Sequence, residues 1–272
     1  MRGTSRASLS AAKERLAADL AGSSAAQADQ VGAELFAVAG LLDREPGLRR
    51  GLSDPSRDRT ARSSLAETLL AGRISPAALE QMTGLAGARW SEPGDLTDAV
   101  EQLAVLAVAE AADRDGKLDE LEDELFRFGR IVQGNTGLRS ALSNQFVPPH
   151  GRASLVTDLV SGKVTEPAQR LMAQAATHPR GRSLDAALES YANLAAELRA
   201  RLVAEVRVAV PLGEAQRARL AAALVAIYGH DVHLNVVVDP GMLGGISVRI
   251  GDELINGSIA SRLAELRRDL AA

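Results

Sequence analysis

The sequence contains no cysteine and few aromatic residues. Without cysteine the chain can form no disulfide, no thiol nucleophile and no cysteine-ligated zinc site. Aromatic residues make up 3% of the 272 positions, so helices must pack mainly through leucine, alanine and valine. Because the net charge is −4 and few rings are available for base stacking, the composition argues against a nucleic-acid-binding protein.

Long hydrophobic runs are absent as well. No stretch of about eighteen apolar residues occurs, so we expect no direct membrane insertion. The first six residues lack the apolar core of a signal peptide, which predicts a cytoplasmic protein. With 46% hydrophobic and 24% charged residues, a chain of this length predicts one or two globular domains that bury a sizeable core.

The common motifs of enzymes and cofactor sites are missing too. Gly244-Gly245 lacks the third glycine of a dinucleotide-binding loop, because the next glycine is Gly251. Gly162-Lys163 continues with Val164, where a phosphate-binding loop has Ser or Thr. No G-x-S-x-G or H-E-x-x-H pattern occurs. We therefore predict that the protein is not an enzyme and has no cofactor and no catalytic residue.

One loop resembles a calcium-binding EF-hand. Asp113 and Asp115 occupy its third and fifth positions, and Glu122 occupies its twelfth. Ala111 stands where the first aspartate ligand belongs, which removes a ligand and a charge. The favoured interpretation is a solvated turn between helices, with acidic residues where the next helix begins. A calcium-responsive helical adaptor that uses the 113–122 loop is the alternative function.

His230 and His233 form an H-x-x-H pattern in a segment that predicts a strand. Residues three apart on a strand face opposite sides of the sheet, so the two rings cannot hold one metal ion. We therefore expect no metal site here.

An internal repeat with an offset of 90 residues runs through the first two hundred positions. It is ungapped over about fifty residues, which indicates duplication of a helical unit. The matching pairs include Glu34-Leu35-Phe36 with Glu124-Leu125-Phe126, Gly47-Leu48-Arg49 with Gly137-Leu138-Arg139, Leu69 with Leu159, Gly72 with Gly162, and Met82 with Met172.

Proline and glycine divide both copies into short predicted helices. In the first copy these helices span about 8–21, 26–44, 47–53, 58–71 and 75–88. In the second copy they span 95–113, 118–134, 137–144, 149–161 and 166–177, followed by a long amphipathic helix over 183–207. Near residue 201 the apolar period changes from helical spacing to alternation, so a strand begins where the long helix stops.

The last segment predicts a small mixed sheet with helices packed on it. Val206, Val208 and Val210 alternate with other residues, and the 232–238 segment is a second strand. A helix over 213–228 separates these two strands. Further strands at 246–250 and about 254–255 precede an Asn256-Gly257 turn and a closing helix over 258–270.

This last stretch resembles the C-terminal signature of the delta subunit of F-type ATP synthase, the oligomycin-sensitivity-conferring protein family. The resemblance rests on an ordered series over about 30 residues rather than on a single motif. One departure is Asn256, where the family commonly has aspartate, so a role that needs a charge there is in doubt. The structural signature positions are Gly244, Gly245, Gly251, Gly257 and Ser258.

The resemblance implies a duplicated helical bundle followed by a small α/β domain. The expected domains are an extra helical repeat unit over 1–90, a helical N-terminal-type domain over 91–200 and the α/β domain over 201–272. Residues 1–90 depart from the common family pattern and resemble the longer forms of some bacteria. Without a membrane-spanning helix, the chain is expected to be an unfused form.

The resemblance also implies a non-catalytic peripheral-stalk subunit on the cytoplasmic face of the bacterial plasma membrane. The helical domain would bind N-terminal helices of the alpha subunits, and the C-terminal domain would hold the C-terminal end of the b subunit. Candidate groove residues for the alpha helices are Leu103, Leu106, Val108, Leu188, Tyr191 and Leu198. Each of these six could equally be ordinary core, since sequence alone does not separate core from interface.

Overall fold

The computed structural model describes residues 1, 3–144, 146–201, 203–228, 232–239, 241–242, 244–250 and 253–258. The chain forms two compact units, residues 1–196 and 197–272. The first unit is helical and the second is built on a sheet. The fold is therefore mainly α with a small α/β part, as the sequence predicts.

Eleven helices are described before the first strand. They are α1 (Gly3–Leu20), α2 (Ala25–Arg44), α3 (Pro46–Ser53), α4 (Arg59–Leu70), α5 (Pro76–Gly87), α6 (Pro93–Arg114), α7 (Leu118–Gly134), α8 (Thr136–Ser143), α9 (Pro149–Val160), α10 (Glu166–Thr177) and α11 (Leu184–Arg201). Proline stands in the first turn of five of them, α3, α5, α6, α9 and α10, where its missing N–H costs nothing. The long helix predicted over 183–207 ends at Arg201, because the alternating residues that follow it enter a strand.

The duplication is visible in the helix bounds. Helices α3, α4 and α5 begin and end 90 positions before α8, α9 and α10. Helix α6 corresponds to two other helices in this repeat. It lies close to 90 positions after α1 and close to 90 positions before α11. It is therefore the sixth helix of the first copy and the first helix of the second.

Side-chain contacts repeat with the same offset. Glu34 accepts hydrogen bonds from the Ser75 backbone N–H at 2.9 Å and from its hydroxyl at 2.6 Å. Glu124 accepts the corresponding bonds from Thr165 at 2.9 and 2.7 Å. In each copy a carboxylate therefore binds the start of the helix three elements further along the chain.

Helix α6 is the centre of the helical unit. Most of its residues from Leu96 to Ala112 are small or aliphatic, and all of that stretch except Asp98 and Gln102 is buried. A helix that buries residues on every side is typical of an enclosed central position. Gly32 of α2 allows close packing, because a Cβ there would lie 2.7 Å from Cγ2 of Val108. The two copies thus share one core around α6.

The second unit contains β1 (Val203–Val208), α12 (Glu214–Tyr228), β2 (His233–Val238), β3 (Gly245–Ile250) and β4 (Glu253–Ser258). The described strands form one sheet in the order β2-β1-β3-β4. Strands β1 and β2 are parallel, whereas β1 with β3 and β3 with β4 are antiparallel, so the sheet is mixed as predicted. Valines at 206, 208 and 248 form its buried face with Ile250, and Leu224 of α12 packs on them.

The turn predicted at Asn256-Gly257 is wrong. Both residues lie in β4, where Asn256 pairs with Ser247 and Gly257 pairs with Ile246. Asparagine and glycine have low strand propensity, but the alternating strand β3 pairs along the whole of β4 and sets its conformation. Ser258, predicted to cap and begin the closing helix over 258–270, is the last residue of β4. The rest of that predicted helix lies outside the described part of the chain.

Candidate partner interface

A buried cluster of charges joins three parts of the helical unit. Glu101 of α6 is 2% exposed and accepts hydrogen bonds from Arg182 at 2.6 Å, Arg180 at 3.1 Å and the Tyr191 hydroxyl at 2.6 Å. Arg180 also forms ion pairs with Asp43 of α2 at 3.0 Å and with Asp98 of α6 at 2.8 Å. The loop between α10 and α11 is thereby bound to helices from both copies.

Electrostatics within the cluster favour the charged form of Arg180. Burial alone would lower the pKa of Arg180, yet Glu101, Asp43 and Asp98 raise it above its usual value. Burial, reinforced by Glu101, raises the pKa of the Tyr191 hydroxyl well above its usual range, so this group donates its proton and does not lose it. A buried ion that loses its partners lowers the stability of the fold. The cluster therefore favours the one arrangement of the helices in which these partners meet.

Arg180 reaches these partners through an uncommon backbone conformation. Its φ is 51°, in the left-handed region, and Gly181 follows with φ 74°. Sequence reasoning missed Arg180, Arg182 and Glu101. The available signal was two arginines in a short Pro- and Gly-containing loop, together with a glutamate inside a mostly apolar stretch of α6.

The six candidate groove residues lie in the core. Their exposed fractions range from 0 to 7%, the values being Leu103 0%, Leu106 7%, Val108 0%, Leu188 1%, Tyr191 1% and Leu198 7%. The prediction that these six residues line an open groove is therefore corrected, because they pack in the core of the chain. For the three residues on α6 the physical reason is that α2 of the 1–90 copy packs along this helix. On α11, Leu188 lies beside Gly129 of α7, and the Tyr191 ring lies 6.4 Å from that of Phe36.

The most exposed large apolar side chains of the described helical unit lie on α7 and in the loop after α8. Phe126 is 58% exposed, Ile131 57% and Phe146 97%. Phe126 lies beside a groove of about 440 Å³ between α7 and α11, which also contains Asp185 and Glu189. Large exposed apolar residues of this kind are typical of protein-binding surfaces.

The signature residues meet at one end of the β3–β4 pair. Gly245 pairs with Ser258, and Ile246 pairs with Gly257. Gly244 and Gly245 have φ values of 133° and 90°, so both adopt conformations that L side chains rarely take. Gly251 lies outside the described residues.

The loop that resembles an EF-hand closes as a helix end. Gly116 has φ 68°, its N–H donates to the carbonyl of Asp113 at 2.8 Å, and the Lys117 N–H donates to that of Ala112 at 2.7 Å. These bonds are those of a helix C-cap. Within the described residues, no group of three or more His, Asp or Glu side chains is arranged to hold a metal ion. His230 of the H-x-x-H pattern lies outside that part of the chain.

Comparison with known proteins defines the class. A family model described as "ATP synthase delta (OSCP) subunit" matches residues 105–270. The chain belongs to this family, and it is a non-catalytic subunit of ATP synthase.

Curated relatives match over their whole length, including the 1–90 copy. "ATP synthase subunit delta" of Streptomyces avermitilis is 50% identical over 270 residues, which cover 99% of this chain and 98% of the relative. The protein of the same description from Thermobifida fusca is 48% identical over 272 residues and covers both chains completely. A chain of the Toxoplasma gondii mitochondrial ATP synthase hexamer aligns with 62% of this chain and 95% of its own length, at 17% identity and a TM-score of 0.32, which carries no argument about function.

Proposed function

We propose that this subunit links the catalytic head of the synthase to its peripheral stalk on the cytoplasmic face of the plasma membrane. The helical unit binds N-terminal segments of the alpha subunits, and the unit over 197–272 holds the C-terminal end of the b subunit. The observation that carries this proposal is the full-length match to delta subunits, joined to a chain made of two compact units of different build.

The helical unit has the stiffness that a torque-resisting link needs. Its central helix α6 is enclosed, and the Glu101 cluster ties α2, α6 and the 178–183 loop together. A satisfied buried polar network fixes one arrangement where a purely apolar contact could slide. Apolar surface for partner helices is offered by Phe126 and Ile131 on α7.

The second unit offers an edge strand, β2, that carries exposed apolar side chains. Strand β2 ends one side of the described sheet, and its Val237 and Val238 are 42% and 43% exposed. Ile227 of α12 is 66% exposed. An uncovered apolar edge strand is a surface that a partner segment can cover. In the described chain no helix is both long enough and apolar enough to cross a bilayer, so membrane association would come through the partners.

A truncation tests the division of roles. A chain ending at residue 196 should still bind the purified catalytic head but lose the b subunit, as measured by co-purification. The full-length chain is the control for both interactions. Retention of the b subunit by the truncated chain, or loss of the head, would contradict the assignment of partners to the two units.

A further inference from the structure

An apolar cavity opens between α2, α3 and α4 in the first copy of the repeat. Its volume is about 200 Å³, and we call it the α2–α4 cavity. Of the described residues that line it, seven are valine or leucine, and the other two are Thr68 and Arg73. The Thr68 hydroxyl donates to the carbonyl of Ser64 at 2.8 Å, so its hydrogen-bonding capacity is already used by α4. The single charge in this lining is therefore that of Arg73.

Exposure increases from the floor of the α2–α4 cavity to its mouth. Val38 and Leu52 are 4% and 1% exposed and form part of the floor, whereas Thr68, Leu69 and Arg73 are exposed and lie at the mouth. No carboxylate of the described residues lines the cavity, so an anionic group at the mouth would meet Arg73 with no competing acid in the lining. The cavity thus combines an apolar interior with a cationic entrance.

The second copy of the repeat carries a bulkier residue in the equivalent interior. Phe128 lies 90 positions after Val38 and is also buried, with 5% of its surface exposed. An aromatic ring therefore occupies a position where the first copy has the smaller valine. The other apolar positions of the lining keep aliphatic residues in the second copy, so the exchange at Val38 is the main difference in volume.

The charges at the mouth differ between the copies as well. Asp158 stands in place of Thr68, and Lys163 stands in place of Arg73. Nζ of Lys163 donates to the carbonyl of Leu159 at 2.9 Å, so this cation is used by its own helix. An aspartate at the mouth would also repel an anion. The smaller interior residue, the neutral mouth residue and the arginine therefore occur together in the first copy.

We propose that the α2–α4 cavity binds a free medium-chain carboxylate, with its hydrocarbon chain in the interior and its carboxylate beside Arg73. An apolar cavity of about 150 Å³ can bind a six-carbon ring, so the α2–α4 cavity has room for a chain on the order of eight carbons. The Arg73 guanidinium forms charge-assisted hydrogen bonds with a carboxylate and repels an ammonium group. Because the cavity lies within the helical unit, the site does not depend on the proposed links to the alpha and b subunits.

Titration of the full-length chain with carboxylates of increasing length tests the fit. Binding of hexanoate, heptanoate, octanoate and decanoate is measured by isothermal titration calorimetry. Each added methylene should lower Kd about fourfold up to octanoate, because it buries further apolar surface, and decanoate should gain little because the interior is then full. No saturable binding of octanoate, or an affinity that rises by the same factor through decanoate, would overturn the proposal.

Replacing Arg73 tests the position of the carboxylate. Arg73→Gln should weaken octanoate binding about fivefold, and it should leave binding of the uncharged 1-octanol unchanged because no ion pair is lost. Lys163→Gln, at the equivalent position of the second copy, is the control and should change neither affinity. An octanoate affinity that does not respond to Arg73→Gln would show that the carboxylate lies elsewhere and would contradict the proposal.

Filling the interior tests the position of the chain. Val38→Phe introduces the residue of the second copy and should weaken octanoate binding at least tenfold. If circular dichroism shows that this variant does not fold, Leu48→Phe narrows the cavity from a half-buried position and takes its place. Leu138→Phe, the counterpart of Leu48 in the second copy, is the control and should keep the wild-type affinity.

Two results of these experiments would overturn the site. Unchanged octanoate binding by a folded Val38→Phe or Leu48→Phe variant would place the ligand outside the α2–α4 cavity. Octanoate binding by the isolated chain but not by the purified synthase would identify a segment of another subunit as the occupant of the cavity.

Discussion

Glu101 and Tyr191 lie 90 positions apart, at equivalent places in the two copies of the repeat, and they are hydrogen-bonded to each other at 2.6 Å. Helix α6 is the sixth helix of the first copy, so its counterpart 90 positions on is α11. It is also the first helix of the second copy and there contacts α11, so Glu101 meets the residue that is its own counterpart. The ring of Tyr191 also lies 6.4 Å from that of Phe36 on α2. One side chain thus connects three helices of the core.

Removing the Tyr191 hydroxyl should measure what this connection contributes. In Tyr191→Phe the ring stays and the bond to the Glu101 carboxylate is lost, so the free energy of unfolding should fall by about 1.5–3 kcal/mol. Urea denaturation followed by circular dichroism gives the value. Glu101→Gln and the double variant complete a cycle. A coupling energy near zero between the two substitutions would mean that the bond does not stabilise the fold.

The stability of the helical unit should depend on His178 below neutral pH. Burial lowers the pKa of His178 from its ordinary value of 6.5, among the charged neighbours Asp43, Arg44, Arg152 and Glu101. The folded state therefore favours the neutral ring. This contribution is complete above about pH 6.5 and is lost as the pH falls through the lower folded pKa.

Urea denaturation at several pH values between 7 and 5 measures this effect. The wild-type free energy of unfolding should fall more steeply with decreasing pH than that of His178→Gln. His150→Gln, at an exposed histidine, should keep the wild-type slope. Equal slopes for wild type and His178→Gln would show that this ring does not couple protonation to folding.

Phe36 and Phe126 are a matched pair from the two copies. Phe36 is 6% exposed and Phe126 is 58% exposed, although they occupy the same repeat position. We expect Phe36→Ala to destabilise the isolated chain by about 3–5 kcal/mol through loss of burial and creation of a cavity. Phe126→Ala should change it by no more than about 0.5 kcal/mol. Denaturation midpoints check both values, and similar losses would mean that Phe126 is also part of the core.

Much of the helical fold follows from the sequence by local rules. Proline, glycine and capping residues mark helix ends, so α3, α8 and α10 lie within two residues of their predicted bounds. The 90-residue repeat predicts the duplication, since matched side chains such as Glu34 and Glu124 make matched contacts. The helix-end signals involve residues close together in the sequence. The repeat is found by comparing the two copies residue by residue.

The packing between the copies could not be predicted in the same way. Apolar residues such as Leu103 and Leu188 have the same spacing whether they face the core or a partner. Their burial depends on packing between helices far apart in the sequence, such as α2 along α6, or Leu188 of α11 beside Gly129 of α7. Likewise Arg180 pairs with Asp43 over 137 positions, and no local pattern indicates that ion pair. The strand residues Asn256 and Gly257 show the same effect, because pairing with β3 overrides their turn propensity.

The two glycines before and at the start of β3 should resist substitution. Gly244 and Gly245 have φ values of 133° and 90°, so Gly244→Val or Gly245→Val should each cost about 1–3 kcal/mol through backbone strain. Ser247→Val, on the same strand, is the control for adding a β-branched side chain. If both glycine variants melt at the wild-type temperature, the backbone at these positions does not require glycine.

Proton-driven ATP synthesis by synthase reconstituted in vesicles tests the central claim most directly. The complex is prepared with the full-length chain or with a chain that ends at residue 196. We predict that the truncated complex keeps ATP hydrolysis by the catalytic head, because no residue of this subunit takes part in it, and loses ATP synthesis, because an untethered head turns with its rotor. ATP synthesis at the intact rate by the truncated complex would contradict the account.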